Sequence, residues 1–188
     1  AALARLTGRH VAFGKTLDYQ GGDYGIAILS RWPIRRDTLV RLPVEPPQER
    51  SGTYEPRGAL VATLDAPGGP LTIVNTHVDA SRDDGYRRQE LRTLVSLARA
   101  LGADGTPLLV GGDMNSEPGS AVQDSARAGG LRDAWPICGR GDALTYPADS
   151  AVKRIDYLYL TGAATCDEAR VLRSDASDHR PVVVRVRW

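Results

Sequence analysis

Short apolar segments that end abruptly in polar or turn-forming residues recur along the chain, and this pattern is the strongest constraint on its fold. Segments of this kind are typical of buried strands. Six of them predict strands, at residues 24–30, 59–64, 71–78, 108–110, 154–160 and 182–187. The turn-forming sequence DAPGGP at residues 65–70 separates the second strand from the third, which predicts that these two strands pair as a hairpin.

Amphipathic periodicity predicts two helices. In the first, which begins near Gly85 and ends at Gly102, apolar residues recur at steps of three and four. The second covers residues 120–128, with Ser120 as its N-cap and a Gly-Gly pair after its last residue. Residues 43–56 contain four prolines and several charges, so we interpret them as a surface loop.

The composition fits a single domain. A chain of 188 residues is long enough for one domain with a hydrophobic core, so we expect one domain over residues 1–188. The content of 41% hydrophobic and 25% charged residues is typical of globular proteins, and no apolar segment approaches the roughly 20 residues of a membrane span. The N-terminal residues lack the apolar core of a secretory signal, which favours the cytoplasm.

Charge and cysteine content do not identify a partner. A net charge of +1 gives no global attraction for nucleic acid, so a nucleic-acid partner is an alternative that charge does not indicate. A modest candidate surface for it combines arginines with an aromatic residue: Arg31, Trp32, Arg35 and Arg36. Trp32 precedes a proline and equally fits a core anchor. Cys138 and Cys166 lie in no metal-ligand or redox spacing, and we interpret both as incidental.

Polar residues suited to phosphate chemistry lie at four separate ends of the predicted strands. They are His77, Asp113 with Asn115, Asp156, and Asp178 with His179. Asp113 and Asn115 lie two apart in the chain, so in extended backbone both side chains can face one ligand. The alternative is an ordinary turn, which aspartate and asparagine favour. Because sites collect at strand ends, the whole set is a better indication of function than any one member.

Asp156 lies on the same face of its predicted strand as Leu158 and Leu160. Burying an unpaired carboxylate costs several kcal/mol, so we expect a histidine or arginine partner for it. A solvated carboxylate on a mixed strand is the alternative. Clustered carboxylates with an amide suit a hard cation such as Mg²⁺, and the lack of a Cys/His cluster argues against structural zinc.

The ordered set of motifs resembles the endonuclease/exonuclease/phosphatase superfamily, to which pancreatic deoxyribonuclease belongs. The motifs run from about Tyr24 to the C-terminus and read YGIAILSRWPI, EPRGALVATL, NTHVDA, GGDMNSEPGS, RIDYLYL and SDHRPVVV. The resemblance implies an α/β fold: a four-layer sandwich of two mixed β-sheets flanked by helices, with the site at one end.

The same resemblance implies catalytic roles for three residues. His179 is similar to the general base, or to the charged group that stabilises the phosphate, and Asp156 to the carboxylate that orients it. A carboxylate that holds an imidazole raises its basicity and fixes its tautomer. Asp113 resembles the aspartate that positions the attacking water or a second metal ion.

Further roles follow for four other residues. Asn115 resembles the amide that binds a phosphate oxygen, and Asp178 resembles a metal ligand. His77 and Arg57 are similar to the residues that contact the scissile phosphate, where donors offset the growing negative charge. The cofactor that the resemblance implies is Mg²⁺ or Mn²⁺.

Two departures from the family pattern concern the N-terminal part. The family takes a metal-binding glutamate and an asparagine from its first strand and helix, whereas here no glutamate precedes Tyr24 and the first asparagine is Asn75. We therefore expect a chain that lacks the N-terminal strand and helix and exposes apolar surface near its first strand. The glutamate that pairs with the counterpart of His77 also has no match near Tyr24, so that role is unfilled or falls to Asp23.

The sequence thus predicts a metal-dependent phosphoesterase that hydrolyses a P–O bond by attack of activated water, with a phosphodiester favoured as substrate. One alternative is a phosphomonoesterase of the same superfamily. Another is an inert fragment kept for binding, because the metal-binding glutamate is absent.

Overall fold

The computed structural model describes residues 2–47 and 55–188, so part of the predicted loop at residues 43–56 lies outside the described residues. Within these ranges four helices and ten strands follow one another along the chain. In order they are α1 (Ala2–Thr7), β1 (His10–Tyr19), β2 (Gly22–Ser30), β3 (Ile34–Leu42), β4 (Arg57–Ala66), β5 (Gly69–His77), α2 (Gly85–Leu101), β6 (Leu108–Asp113), α3 (Ala121–Ala128), β7 (Arg132–Asp133), α4 (Ala134–Cys138), β8 (Asp156–Leu160), β9 (Thr165–Val171) and β10 (Val182–Arg187).

Six strands form a mixed sheet in the order β3-β4-β5-β6-β8-β7. The predicted hairpin is confirmed, because β4 and β5 pair antiparallel. β5 and β6 are parallel, and α2 makes the crossover between them. The remaining strands form two antiparallel pairs, β1 with β2 and β9 with β10. The expected α/β class, with mixed sheets flanked by helices, is confirmed.

One face of the six-stranded sheet packs against α2 and α3. Both predicted helices are present, and the Ser120 hydroxyl caps α3 by accepting the N–H of Gln123. Alternate residues of β4, Ala59 and Val61, face the helices because side chains alternate along a strand. On α2 the buried residues recur at helical spacing and include two charged side chains: Arg87, Glu90, Leu91, Leu94, Val95 and Ala98.

The opposite face of the sheet packs against the two antiparallel pairs. Leu60 and Ala62 of β4 contact β1 and β2, whereas Leu160 of β8 contributes to a second cluster with α4, β9 and β10. The outer face of the β1–β2 pair carries Val11 and Phe13, and Phe13 is 48% exposed. Apolar surface near the first strand is therefore exposed, as expected.

Several elements were not predicted from the sequence. The edge strand β3 has the sequence IRRDTLVRL, and most of its side chains are exposed, so it lacks the apolar signal of a buried strand. β1 and β9 likewise mix charged and apolar residues along their length. Pairing with a neighbouring strand, rather than local sequence, explains these elements.

The interpretation of the two cysteines as incidental was wrong. Cys138 at the end of α4 and Cys166 in β9 form a disulfide, with a Cα–Cα distance of 6.1 Å and a sequence separation of 28 residues. Folding brings them together across two elements, which sequence spacing alone does not reveal. No helix among the described residues is long and apolar enough to cross a membrane.

Candidate functional site

The hydrogen-bond register of the six-stranded sheet places three of the predicted site residues side by side. His77 ends β5 and pairs with Asp113, which ends the parallel strand β6. Asp113 pairs in turn with Asp156, which begins the antiparallel strand β8. β5 and β6 therefore end at this end of the sheet, and β8 begins there. The alternation of side chains puts all three on the sheet face opposite the helices.

The carboxylate of Asp156 has the histidine partner that its position predicted. Nδ1 of His179 lies 2.8 Å from Oδ2 of Asp156. The buried hydroxyl of Thr145 accepts the N–H groups of Ile155 and Asp156 at 3.2 and 3.4 Å, which fixes the backbone where β8 begins. Burial lowers the pKa of His179, but its hydrogen bond to Asp156 and the charges of nearby carboxylates outweigh burial and raise the pKa above its ordinary value.

Asp113 lies between two imidazoles. Its Oδ2 is 3.5 Å from Nε2 of His77 and 3.9 Å from Nε2 of His179, while Oδ1 accepts the N–H of Asn115 at 2.8 Å. Burial raises the pKa of Asp113 to about 6, assisted by the charge of Asp156 and opposed by the Asn115 hydrogen bond. The aspartate and asparagine thus form a turn and also line a cleft, and their shared contact with a ligand stays a prediction.

Gly112 allows the close approach of β6 to β5 just before Asp113. Its φ is 140°, and a Cβ atom at this position would lie 1.8 Å from the carbonyl oxygen of Thr76. Only glycine fits both the backbone conformation and the space. The second residue of the GGD sequence thus permits the pairing that brings Asp113 beside His77.

His77 is neutral at ordinary pH. Burial lowers its pKa to about 3, and the positive charges of Arg57 and His179 act in the same direction. Its contact with Asp113 is thus not an ion pair. Of the two alternatives for the partner of His77, Asp23 does not take the role, because Asp23 is exposed near the start of β2 and binds Lys15 at 2.6 Å.

Arg57 is buried rather than placed in the cleft. It is 4% exposed, and its Nη1 lies 2.5 Å from Oε1 of Glu55. As the first residue of β4 it shares the helix-facing side with Ala59, because side chains alternate along the strand. From that face of the sheet, its positive charge lowers the pKa of His77 and of Asp113.

An open cleft of about 910 Å³ lies over this end of the sheet. Five of the seven predicted site residues line it: His77, Asp113, Asn115, Asp178 and His179. Asp156 lies behind His179, and Arg57 lies on the other face of the sheet. The walls consist of residues 80–84, 115–117 and parts of the segment 146–155.

The donor set at the cleft floor fits a divalent cation. Asp113, Asp156 and His179 each offer one ligand atom, and these atoms all lie within 4.8 Å of one another. The carboxylate oxygens of this group suit Mg²⁺ or Mn²⁺, whereas the imidazole is held by Asp156. Asp178 lines the same cleft but lies outside this group of three.

Several residues at the cleft were missed by sequence reasoning. The ring of Tyr146 lies 4.8 Å from the ring of His179, centroid to centroid, and Lys153 lies opposite Tyr146 in an antiparallel bridge. No local pattern singled out these two. Arg87 and Glu90 did give a signal, since both fall on the apolar face of an amphipathic helix, where charged residues are rare.

The candidate nucleic-acid surface lies far from the cleft. Arg35 binds Asp65 at 2.6 Å, and the ring of Trp32 packs 5.9 Å from that of Trp188, at the opposite end of the six-stranded sheet. The length of β3 separates these residues from the row of site residues by about 20 Å. Trp32 is thus a packing residue, which was the alternative interpretation.

Sequence comparisons agree with this geometry. The profile of the endonuclease/exonuclease/phosphatase family matches residues 1–179. An Escherichia coli protein, named uncharacterized protein YbhP, is 27% identical over 180 residues, which are 93% of this chain and 67% of that protein. The inositol phosphosphingolipids phospholipase C of Saccharomyces cerevisiae is 28% identical over 158 residues, which are 76% of this chain and 32% of that protein.

Solved structures share the fold. An endonuclease/exonuclease/phosphatase family protein from Bacteroides thetaiotaomicron superposes with a TM-score of 0.83 at 20% identity. The superposition covers 98% of this chain and 78% of that protein.

Proposed function

The chain belongs to the endonuclease/exonuclease/phosphatase family, and from this membership we propose that it is a metal-dependent phosphoesterase that cleaves a P–O bond with activated water. The observation that carries the proposal is the pair formed by Asp156 and His179, which faces Asp113 at the floor of the cleft. A carboxylate, an imidazole and a second carboxylate in this order are suited to activating water beside an anionic substrate.

In the proposed mechanism His179 takes the proton from the attacking water. Asp156 accepts the Nδ1–H, so Nε2 is left to face the cleft, where it lies 3.9 Å from Asp113. Asp113 orients the water by accepting its second proton in a hydrogen bond. When the imidazole becomes charged, both carboxylates stabilise it.

The substrate phosphate is held by donors of the same cleft. His77 is neutral, so one of its two ring nitrogens carries a hydrogen and can donate it to a phosphate oxygen. Asn115 already donates to the carbonyl of Val78 at 3.0 Å, which orients its amide at the cleft. Two exposed cations, Arg82 and Lys153, line the cleft and make no ion pair among the described residues, so each is available to an anionic substrate beside the acidic residues that suit a cation.

A divalent cation would be held by carboxylates of the cleft. Bound Mg²⁺ or Mn²⁺ supplies positive charge that neutralises the phosphate. Because Asp156 is engaged with His179, Asp113 and Asp178 have the oxygens best available as ligands. Asp113 therefore contributes both to the cation site and to the orientation of water.

We infer that a phosphodiester is the favoured substrate. The cleft is open and has a volume of about 910 Å³, so it has room for groups attached on either side of a phosphate. The yeast relative is named as a phospholipase C for inositol phosphosphingolipids, which is compatible with this choice. A phosphomonoester is the second candidate, since the family name includes phosphatases.

Hydrolysis of bis-p-nitrophenyl phosphate and of p-nitrophenyl phosphate, titrated with Mg²⁺ and Mn²⁺, tests the proposal. We expect metal-dependent release from the diester and a loss of about a hundredfold or more in His179→Ala. His10→Ala is the matched control, because His10 is exposed in β1 and lies outside the cleft. Release from the monoester alone would favour a phosphatase. No metal-dependent release from either substrate would favour an inert binding protein.

A further inference from the structure

Two charged side chains of α2 are buried at one wall of the cleft, and one of them, Arg87, also lines it. Arg87 and Glu90 lie three residues apart, on the same helical face as Leu91 and Leu94. Glu90 is 0% exposed, and Arg87 is also buried. Burying charged groups costs several kcal/mol unless they are paired or neutralised, so their contacts need a specific explanation.

Both side chains bind the backbone of a single residue, Asp79. Oε2 of Glu90 accepts the N–H of Asp79 at 2.7 Å. Nη1 of Arg87 donates to the carbonyl of Asp79 at 3.2 Å and to that of Ser81 at 2.6 Å. The helix therefore fixes this backbone segment through side chains, in place of the strand pairing that ends at His77.

The fixed segment connects directly to the site. Val78 donates its N–H to the carbonyl of Asp113 at 3.1 Å, and its own carbonyl accepts the side-chain amide of Asn115 at 3.0 Å. His77 precedes Val78, and residues 80–84 form one wall of the cleft. A shift at Asp79 would thus move two predicted substrate contacts and the wall together.

We propose that Glu90 is a positioning residue of the phosphoesterase site: by accepting the amide hydrogen of Asp79, it keeps His77, Asn115 and the wall at residues 80–84 in the geometry that binds and orients the substrate. The inference rests on the proposed function. It predicts that the hydrogen-bond acceptor matters more than the negative charge, since a neutral acceptor is the cheaper group to bury.

The surroundings of Glu90 favour that neutral form. Burial raises the pKa of Glu90 to about 8; the Asp79 N–H opposes this shift, the Asp79 carboxylate adds to it, and Arg57 and Arg87 oppose it. Oε1 has no hydrogen-bond partner among the described residues, which is less costly for a protonated carboxyl group than for a carboxylate. Above about pH 8 the buried group ionises beside Asp79, and the segment should loosen.

Two substitutions separate positioning from simple packing. Glu90→Leu keeps the approximate volume and removes the acceptor, whereas Glu90→Gln keeps an acceptor and stays neutral at every pH. Arg92→Leu is the matched control, because Arg92 is exposed on the same helix. For each protein we would measure kcat and KM for bis-p-nitrophenyl phosphate, with amide hydrogen exchange of residues 78–84 by mass spectrometry.

We expect Glu90→Leu to lower kcat by about tenfold to a hundredfold and to speed exchange of residues 78–84 by about tenfold. Glu90→Gln should match the wild type near neutral pH in both measurements. It should also retain its rate above pH 8, where the rate of the wild type falls.

The inference is overturned if folded Glu90→Leu keeps wild-type kcat and exchange, or if Glu90→Gln is as impaired as Glu90→Leu. Should Glu90→Leu fail to fold, an alkaline fall of the same size in Glu90→Gln and in the wild type would overturn it. Exchange needs no substrate. A wild type inactive on phosphoesters, with exchange that still depends on Glu90, would therefore contradict the proposed function and leave the fixing of the segment intact.

Discussion

Nδ1 of His179 lies 2.8 Å from Oδ2 of Asp156, a contact that joins two parts of the chain 23 residues apart. His179 comes from the connection between β9 and β10, whereas Asp156 begins β8 in the six-stranded sheet. The rigid sheet thus holds the carboxylate, and the carboxylate holds an imidazole that comes from a loop. This arrangement fixes the ring orientation that acid–base chemistry requires.

Asp156→Asn should lower both the pKa of His179 and the rate. The hydrogen bond and charge of Asp156 are the largest causes that raise the pKa of His179, so their loss leaves only the charges of Asp113 and Asp178 to oppose burial, and the pKa should fall. Because the base must be unprotonated, the rise of kcat/KM with pH should move to lower pH, while kcat falls by about 10²- to 10⁴-fold. NMR titration of the imidazole measures the shift. Asp149→Asn, an exposed site, is the control, and an unchanged His179 pKa in Asp156→Asn would contradict the prediction.

His77→Gln should make folding less sensitive to acid. The pKa of His77 is lowered to about 3 in the folded protein, whereas an unfolded histidine titrates near 6.5. Stability that His77 contributes above pH 6.5 is therefore lost progressively as the pH falls toward 3. Urea unfolding at several pH values between 7 and 5 should show a shallower decline for His77→Gln than for the wild type. Parallel declines would mean that His77 is not buried in its neutral form.

Gly112→Ala should destabilise the fold by about 3 kcal/mol or more, because the added Cβ meets the Thr76 carbonyl and the backbone conformation disfavours alanine. Gly105→Ala is a useful comparison, since Gly105 also has a positive φ, of 81°, but open space around it. That substitution should cost only about 1 kcal/mol. Urea unfolding measures both free energies, and similar losses at the two positions would contradict the packing argument.

Lys153→Gln should weaken substrate binding without slowing the chemical step. Lys153 lines the cleft near Tyr146, and its charge attracts an anion without contacting the groups that move protons. We expect KM for the diester to rise by about fivefold with kcat nearly unchanged, and the difference to shrink at high salt. Lys15→Gln, which alters the other lysine of the chain, should leave KM unchanged. An equal effect of the two substitutions would point to net charge alone.

The buried strands and amphipathic helices could be predicted because their apolar residues recur at the spacing of the element. α2 was bounded correctly from its periodicity, and the Asp156 partner followed from the parity of β8. The edge strand β3 could not be predicted, since its stability comes from pairing with β4 and not from its own apolar content.

The sequence identified most of the residues around the cleft, but not how deeply each side chain is buried. The motifs predicted that Arg57 and His77 both contact the phosphate. Because side chains alternate along a strand, Arg57 instead faces the helices, where it is buried with Glu55. Glu55 began one of the quoted motifs without a predicted role, and Tyr146 had no local signal. The disulfide was missed because two cysteines 28 residues apart meet only after α4 and β9 have packed.

The row of His77, Asp113 and Asp156 is a property of strand register, whereas the walls of the cleft come from the connections between strands. A one-residue slip of β8 would put Ile155 or Tyr157 in the place of Asp156 and turn the carboxylate toward the helices. Connections, by contrast, can change in length and sequence without disturbing that row. Under the proposed function, the wall that contains Tyr146 and Lys153 could therefore be exchanged with that of relatives to alter which ester is accepted, while the three strand ends and His179 keep their places.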